Sequence, residues 1–475
     1  MNKLKKYALS SLYDMASGIS STKEQAGHGS PFVSFSTVFN NYFLPDELPD
    51  LMETSKKEQE VYSIKKGDIL ITRTSETIDE LAMSCVATKD YPCATYSGFT
   101  KRLRPKTEGI AYYKYMAFYL RSAWFRKAVT NNAFMTLRAS FNEDIFSFLN
   151  VYLPDYDVQV RIGDFLYSIE QKISVNKRIC AELESLAKTI YDYWFTQFDF
   201  PEAAGKPYRS SGGAMEWNEQ FKRDIPKGWI VAPLSQYLSC NKHSVRKKDK
   251  LESICYLDTG SLTDNAMDSV ECYESISVAP VRAQRIVHQN DILYSTVRPI
   301  QRHYGIIKHP AKNMVASSGF ACLSSKADSK YNDLFYLFIT APQNTKKLCA
   351  IADSSVSAYP SINPSDILDL QIALPKHLDE IDELVSTLSS LLYAKAHWQD
   401  EIRQLLSLRD WLLPMLMNGQ ATVADAEEEV SKVIPFAPQT VEVRQAARNF
   451  GDKKTDDTAD LVKAFMRRKQ HDTKA

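Results

Sequence analysis

With 475 residues, 44% of them hydrophobic, the chain is long enough for about three domains, each able to bury its own core. Its 58 basic and 58 acidic residues cancel, which excludes a uniformly charged protein but allows segregated patches. No run approaches the roughly 18 apolar residues of a membrane-spanning helix, so no membrane association is expected.

The start, "MNKLKKYALSSLY", has a short apolar stretch interrupted by serines and followed by Asp14, which does not read as a signal peptide. Residues 1–154 then read as a mixed α/β domain. Short runs such as "FVSFSTVF" and "GDILITRTS" are rich in β-branched and aromatic residues, and "YYKYMAFYLRSAWFRKAV" (112–129) is helical. Residues 155–198 predict one long helix with a seam of Ile162, Leu166, Ile169, Ile173, Asn176, Cys180, Leu183, Ala187, Ile190 and Trp194. Its steps alternate four and three, the spacing of a coiled coil, over roughly 60 Å.

Residues 199–224, with "PEAAGKPYRSSGG", predict a flexible linker. A second α/β domain follows over 225–375. A second long helix is expected over 376–420, with a seam of Ile381, Leu384, Leu388, Leu391, Lys395, Trp398, Ile402, Leu405, Arg409 and Leu412 and with Pro414 and Gly419 as stop signals. The fold class is α+β: two tandem α/β domains, each followed by a long helix, with the two helices packed as an antiparallel coiled coil. Asn176 and Lys395 are suited to fixing its register. The competing arrangement lays each helix on its own domain. The charged tail, 421–475, has no core of its own.

The two halves repeat one another. Leu9 aligns with Leu234, Asp68 with Asp291, Gly98 with Gly319, Asn142 with Asn363 and Pro154 with Pro375, at offsets of 225, 223, 221, 221 and 221. Order and spacing are both kept, so one unit occurs twice.

Catalytic motifs are missing. No phosphate-binding glycine loop, no H-E-x-x-H and no G-x-S-x-G is present. The eight cysteines show no C-x-x-C, so neither a zinc site nor a disulfide framework is expected, and a reducing cytoplasm is the expected location. Asp155, Glu170 and Lys172 have the residue types of a metal-dependent nuclease, but Glu170 and Lys172 fall on different faces of the predicted helix. A duplicated protein without a cofactor loop suits binding, and duplex DNA is the natural long, repetitive partner. Two basic clusters, Lys101, Arg102 and Arg104 in "TKRLRPK" and Lys247 and Lys248 in "NKHSVRKKDK", are candidates for phosphate contact, although such runs are also the ordinary mark of solvated loops. Arg73, Thr74, Arg138, Arg298, Arg302 and Tyr359 are candidates for base or backbone contact.

The segment "LPDYDVQVRIGDFLYSIEQKISVNKRICAELESLAKTIYDYWFTQFDFP" resembles the end of the first half of the specificity subunits of type I restriction-modification systems. "DIPKGWIVAPLSQYL" is similar to that family's opening of the second half, and "LLSLRDWLLPMLMNGQ" to its closing helix. The resemblance covers residues 1 to about 420; the tail departs from it. It implies a non-catalytic subunit whose two target-recognition domains read a bipartite, asymmetric site in double-stranded DNA. It further implies that two methyltransferase subunits and the restriction/translocase subunits dock on it, and that S-adenosylmethionine, ATP and Mg²⁺ belong to those partners. The reading from another class is a coiled-coil protein-interaction scaffold without DNA recognition.

Overall fold

The computed structural model describes residues 4–433, apart from 76, 78–79, 133–138, 202–204, 247–250, 252 and 356–358. It divides into one unit of residues 1–174 with 404–436 and a second built on 175–403. Among the described residues no helix is long and apolar enough to cross a membrane.

In the first unit a four-stranded antiparallel sheet runs in the order Tyr13–Ser17, Thr100–Pro105, Ile69–Thr72, Ser84–Val86. All four residues of the central strand Ile69–Thr72 are buried, so it reads as a continuous apolar run rather than an alternation. A second sheet joins Asp50–Met52, Ala26–Val33 and Thr95–Tyr96, the last pair parallel. Lys5–Ala8 pairs antiparallel with Asn150–Leu153, so the start and end of the domain lie side by side.

The second unit repeats this plan. Its sheet runs Leu238–Cys240, Phe320–Ser325, Ile292–Ser295, Tyr304–Ile306. In its second sheet Ile254–Leu257 is parallel to Met314–Ser317, and Trp229–Pro233 closes on Gln371–Pro375. The repeat in the sequence is a repeat of the main sheet's order, while the second sheet of this unit carries a fourth strand, Ala283–Ile286, on Met314–Ser317.

The stretch 112–129, expected as one helix, is two: Tyr113–Tyr119 and Ala123–Asn132. Ser122 makes the break, its Oγ accepting from the Phe125 N–H at 3.4 Å as an N-cap does.

The long helices span Tyr156–Tyr191, followed by a π-turn at Asp192–Thr196, and Asp382–Met417, preceded by a 3₁₀ turn at Leu378–Ile381. Pro414 does not stop the second helix but sits inside it; Gly419, at φ +69°, follows its end. The pair is antiparallel. In the first unit Arg409 meets Glu170 at 2.5 Å and lies 4.9 Å over the Tyr42 ring. In the second unit Lys395 pairs with Glu184, and Cys180 Sγ donates to the Lys395 carbonyl at 3.6 Å. Of the expected seam, Ile162, Ile169, Asn176, Ile381, Leu388 and Leu405 are buried, while Leu183 and Trp398 are half-buried. The buried Asn176 Nδ2 has no hydrogen-bond partner among the described residues.

The helices also pack on the domains, and the C-terminal turns of the first helix join the core of the second domain rather than of its own. Ala187, Tyr191 and Phe195 of the first and Ile381, Leu384, Leu388 and Leu392 of the second share one core with Leu234, Ile292 and Leu323. In the first unit Gly163 is required, because a Cβ there would stand 2.7 Å from the Tyr115 nitrogen. The same clasp recurs in each unit. Tyr112 Oη and Lys114 Nζ meet Asp164 at 2.8 and 2.7 Å, and Tyr331 Oη and Lys330 Nζ meet Asp382 at 2.6 and 2.8 Å.

Three expectations need correction. The linker region 199–224 contains a hairpin, Met215–Asn218 with Arg223–Pro226, and Phe200 stacks on both Tyr208 (4.6 Å) and Trp229 (5.4 Å). Aromatic burial overrides its Gly, Pro and Ser content. The start of the tail forms a helix, Val423–Val433, with buried Ala426 and Val430 and a Thr422–Asp425 cap; residues 434–475 lie outside the described residues. Cys255 and Cys272, expected free, face each other across an antiparallel pair and are bonded.

Two outcomes follow. Glu184→Ala strands the buried Lys395 and lowers stability by about 3 kcal/mol, whereas Glu184→Leu with Lys395→Met recovers most of it, read from denaturation midpoints. Burial pushes the Glu184 carboxyl up, but the Lys395 and Lys188 charges outweigh it and hold it below its usual value. Its contribution is therefore present above the unfolded carboxylate pKa of about 4.3 and lost as pH falls through the lower folded value, so the single-variant penalty fades in acid. Separately, reduction of Cys255–Cys272, which closes 17 residues, lowers stability by about 3 kcal/mol, and Cys255→Ser abolishes the dependence on reductant.

Candidate nucleic-acid interface

Each domain builds one corner in the same way. A buried aspartate, Asp68 or Asp291, accepts the backbone N–H of the residue three before it, Lys65 or His288, at 2.8 Å. This fixes the turn into the central strand. Where that strand ends, the Phe141 N–H donates to the Arg73 carbonyl at 2.7 Å, and the Ile362 N–H donates to the Thr296 carbonyl at 2.9 Å. One residue on, Thr74 pairs with Ser140 and Val297 with Ser361. Asn142 and Asn363 then cap short helices, and the closing strands lead into the long helices.

The side chains on this shared backbone differ. In the first unit Arg73 is exposed, Thr74 is half-buried and Phe99, whose carbonyl accepts the Arg73 N–H at 2.8 Å, is 63% exposed. Arg138 lies outside the described residues. In the second unit the Arg298 guanidinium lies 4.8 Å over the exposed Tyr359 ring. Arg298 itself is exposed. Arg302, four residues on, is held by Asp264 at 3.2 Å and by Tyr304 Oη at 3.3 Å, and the Tyr304 bond heads the causes that raise its pKa. The structure thus gathers Arg73 and Thr74 at one corner, and Arg298, Arg302 and Tyr359 at the equivalent one.

The first basic cluster is elsewhere. Lys101, Arg102 and Arg104 lie on the strand Thr100–Pro105, not on a loop. Lys101 Nζ donates to Ser17 Oγ at 3.0 Å, and Arg102, nearly buried, donates to the Ser63 carbonyl at 2.6 Å. Arg104 forks onto Asp68 at 2.6 and 2.8 Å, and that hydrogen bond raises its pKa. Arg102 and Arg104 hold the domain together rather than awaiting phosphates. Lys247 and Lys248 lie outside the described residues. Asp155 and Glu170 are taken by Lys5 and Arg409, and no group of three potential metal ligands gathers among the described residues.

Sequence reasoning passed over Phe99 and Ile300, the latter 73% exposed between Arg298 and Arg302. An apolar residue at a turn tip is legible only once the turn is known, although Pro299 marks the place.

The sequence profile described as the type I restriction modification DNA specificity domain matches residues 3–185. These residues are a type I DNA specificity domain. The specificity subunit of the type I restriction enzyme MjaIX of Methanocaldococcus jannaschii is 21% identical over 400 residues, covering 79% of this chain and 82% of that protein. The HindI specificity subunit of Haemophilus influenzae is 19% identical over 223 residues, 45% of this chain and 48% of that protein. The crystal structure of the type I restriction-modification S subunit from M. genitalium superposes with a TM-score of 0.53 at 14% identity, over 87% of this chain and 96% of that one. The specificity-subunit fold therefore extends beyond the matched domain to both halves and their helices.

Proposed function

We propose that this chain is the DNA sequence-recognition subunit of a type I restriction-modification complex and makes no bonds itself. Each α/β domain reads one half of a bipartite, asymmetric site in double-stranded DNA. The observation that carries this reading is the corner built twice on matching main-chain hydrogen bonds but bearing different side chains, Arg73 and Phe99 in one domain and Arg298, Ile300 and Tyr359 in the other. A shared frame with unlike reading residues suits unlike half-sites. Arg298, an exposed planar fork steadied on an aromatic ring, suits bidentate recognition of a guanine edge.

The long helices supply the scaffold. Exposed Val175, Leu186 and Trp411 on their outer faces suit the docking of two methyltransferase subunits and of the restriction/translocase subunits. S-adenosylmethionine, ATP and Mg²⁺ act on those partners, and the complex works in the cytoplasm.

Expressing the chain with its methyltransferase partner and mapping methylated adenines by long-read sequencing yields one split motif. Exchange of residues 1–154 for the same domain of a relative changes one half of that motif and preserves the other; change in both halves refutes independent reading. Arg298→Ala relaxes discrimination at a single G·C pair by about ten-fold or more, the worth of one bidentate contact. Methylation that ignores this chain supports the protein-scaffold reading instead.

A further inference from the structure

We propose that the Cys255–Cys272 bond is a reversible redox clamp that tightens the second domain's grip on its half-site when oxidised and relaxes it when reduced. The proposal rests on the DNA-recognition reading of that domain and adds a control to it.

The sheet brings the two sulfurs together by register. Cys255 lies opposite Cys272 in the antiparallel pair of Ile254–Leu257 with Glu271–Tyr273. The Cys255 N–H is directed the other way, to the Asn313 carbonyl at 3.2 Å, so the two cysteines form a non-hydrogen-bonded pair. Such pairs bring Cα atoms closest, and here they are 4.1 Å apart. Glu271–Tyr273 is three residues long and is an edge strand of its sheet. Cys272 is exposed and Cys255 half-buried, so small thiols reach the bond. In a reducing cytoplasm a bond so placed is transient, unlike a disulfide sealed in a core.

What the bond encloses gives it a function. Between the cysteines lies the hairpin Leu262–Thr263 with Ala266–Met267, turned by Asp264 and Asn265, both left-handed at φ 47° and 59°. The Asp264 N–H donates to the Arg302 carbonyl at 2.9 Å, and its carboxylate holds the Arg302 guanidinium at 3.2 Å. The Asn265 N–H donates to the Tyr304 carbonyl at 2.8 Å, and Asn265 Oδ1 accepts the Ile306 N–H at 2.9 Å. Gln399 of the second long helix donates to the Asn265 carbonyl. Two residues thus join the turn Arg298–Arg302 to the scaffold helix. Closing the chain between the cysteines removes conformations in which this clasp is open. When the bond is reduced, buried Leu262 keeps the hairpin on the core, so the domain stays folded while the tip loosens.

Oxidation proceeds by exchange with a small-molecule disulfide such as oxidised glutathione. The Cys272 thiolate attacks it and releases one thiolate; the Cys255 thiolate then attacks Cys272 Sγ and releases the second. Two protein thiols give up two protons and two electrons to form one S–S bond, and the small disulfide takes them up as two thiols.

The test equilibrates the assembled complex in glutathione buffers of graded oxidation, reads the bond by alkylation and mass spectrometry, and titrates duplexes carrying the mapped motif. The bond forms and breaks within the buffered range. Oxidation tightens binding by between about three-fold and about 150-fold, the upper figure being the whole loop-closure contribution carried into binding. The gain disappears on duplexes with a scrambled second half-site. Cys255→Ser with Cys272→Ser binds as the reduced complex does in every buffer, although Cys93, Cys240 and Cys349 remain, and so does Cys272→Thr, a change at an exposed strand position. Asn265→Gly, which suits the left-handed backbone but removes the amide, diminishes the gain while its bond still forms. A bond that stays formed or stays open throughout, or a binding change that survives the cysteine variants, overturns the clamp and leaves DNA recognition standing. Failure to bind the motif in either redox state removes the DNA reading, and the clamp with it.

Discussion

Everything in each domain hangs on a ladder between its first and last strands, Lys5–Ala8 with Asn150–Leu153 and Trp229–Pro233 with Gln371–Pro375. Pairing the ends of a domain fixes where the chain enters and leaves, and the exit leads directly into a long helix. The clasps at Asp164 and Asp382 then lock that helix to an aromatic helix of the same domain. Because entry, exit and helix are specified by backbone pairing and buried contacts, and the corners themselves by main-chain bonds, the exposed corner side chains carry little of the task of holding the domain together. They are free to differ, and they do.

That division explains which features were legible in the sequence. The repeat and the long helices announced themselves through order and period, which survive changes in individual residues. The recurring Ser, Asn and Leu-Pro positions proved to be a bridge, a helix cap and the closing strand, each a backbone role that a residue type can signal. Side-chain roles set by direction were not legible. "TKRLRPK" reads as a basic run, but as a strand it sends Arg104 to a buried aspartate and Arg102 to a carbonyl. Phe99 and Phe320 occupy matching places in the repeat, yet one is exposed and the other buried. The Cys255–Cys272 bond needs a strand register that spacing alone does not supply.

The helix pair shows a similar separation between what stabilises and what specifies. Leu166, Ile173 and Leu388 bury apolar surface that would pack in more than one register. Glu184–Lys395 and Glu170–Arg409 are poor stabilisers by comparison, since burying a charge costs about as much as its pairing returns. Their effect lies in the alternatives they forbid. A slip of one turn would leave Lys395 and Arg409 facing hydrocarbon without their carboxylates, a cost no gain in apolar contact offsets.

The buried pairs therefore act by penalising error. Within each unit the ion pair admits one alignment of the two helices and makes neighbouring alignments costly, so register is specified even where apolar contact alone would accept several.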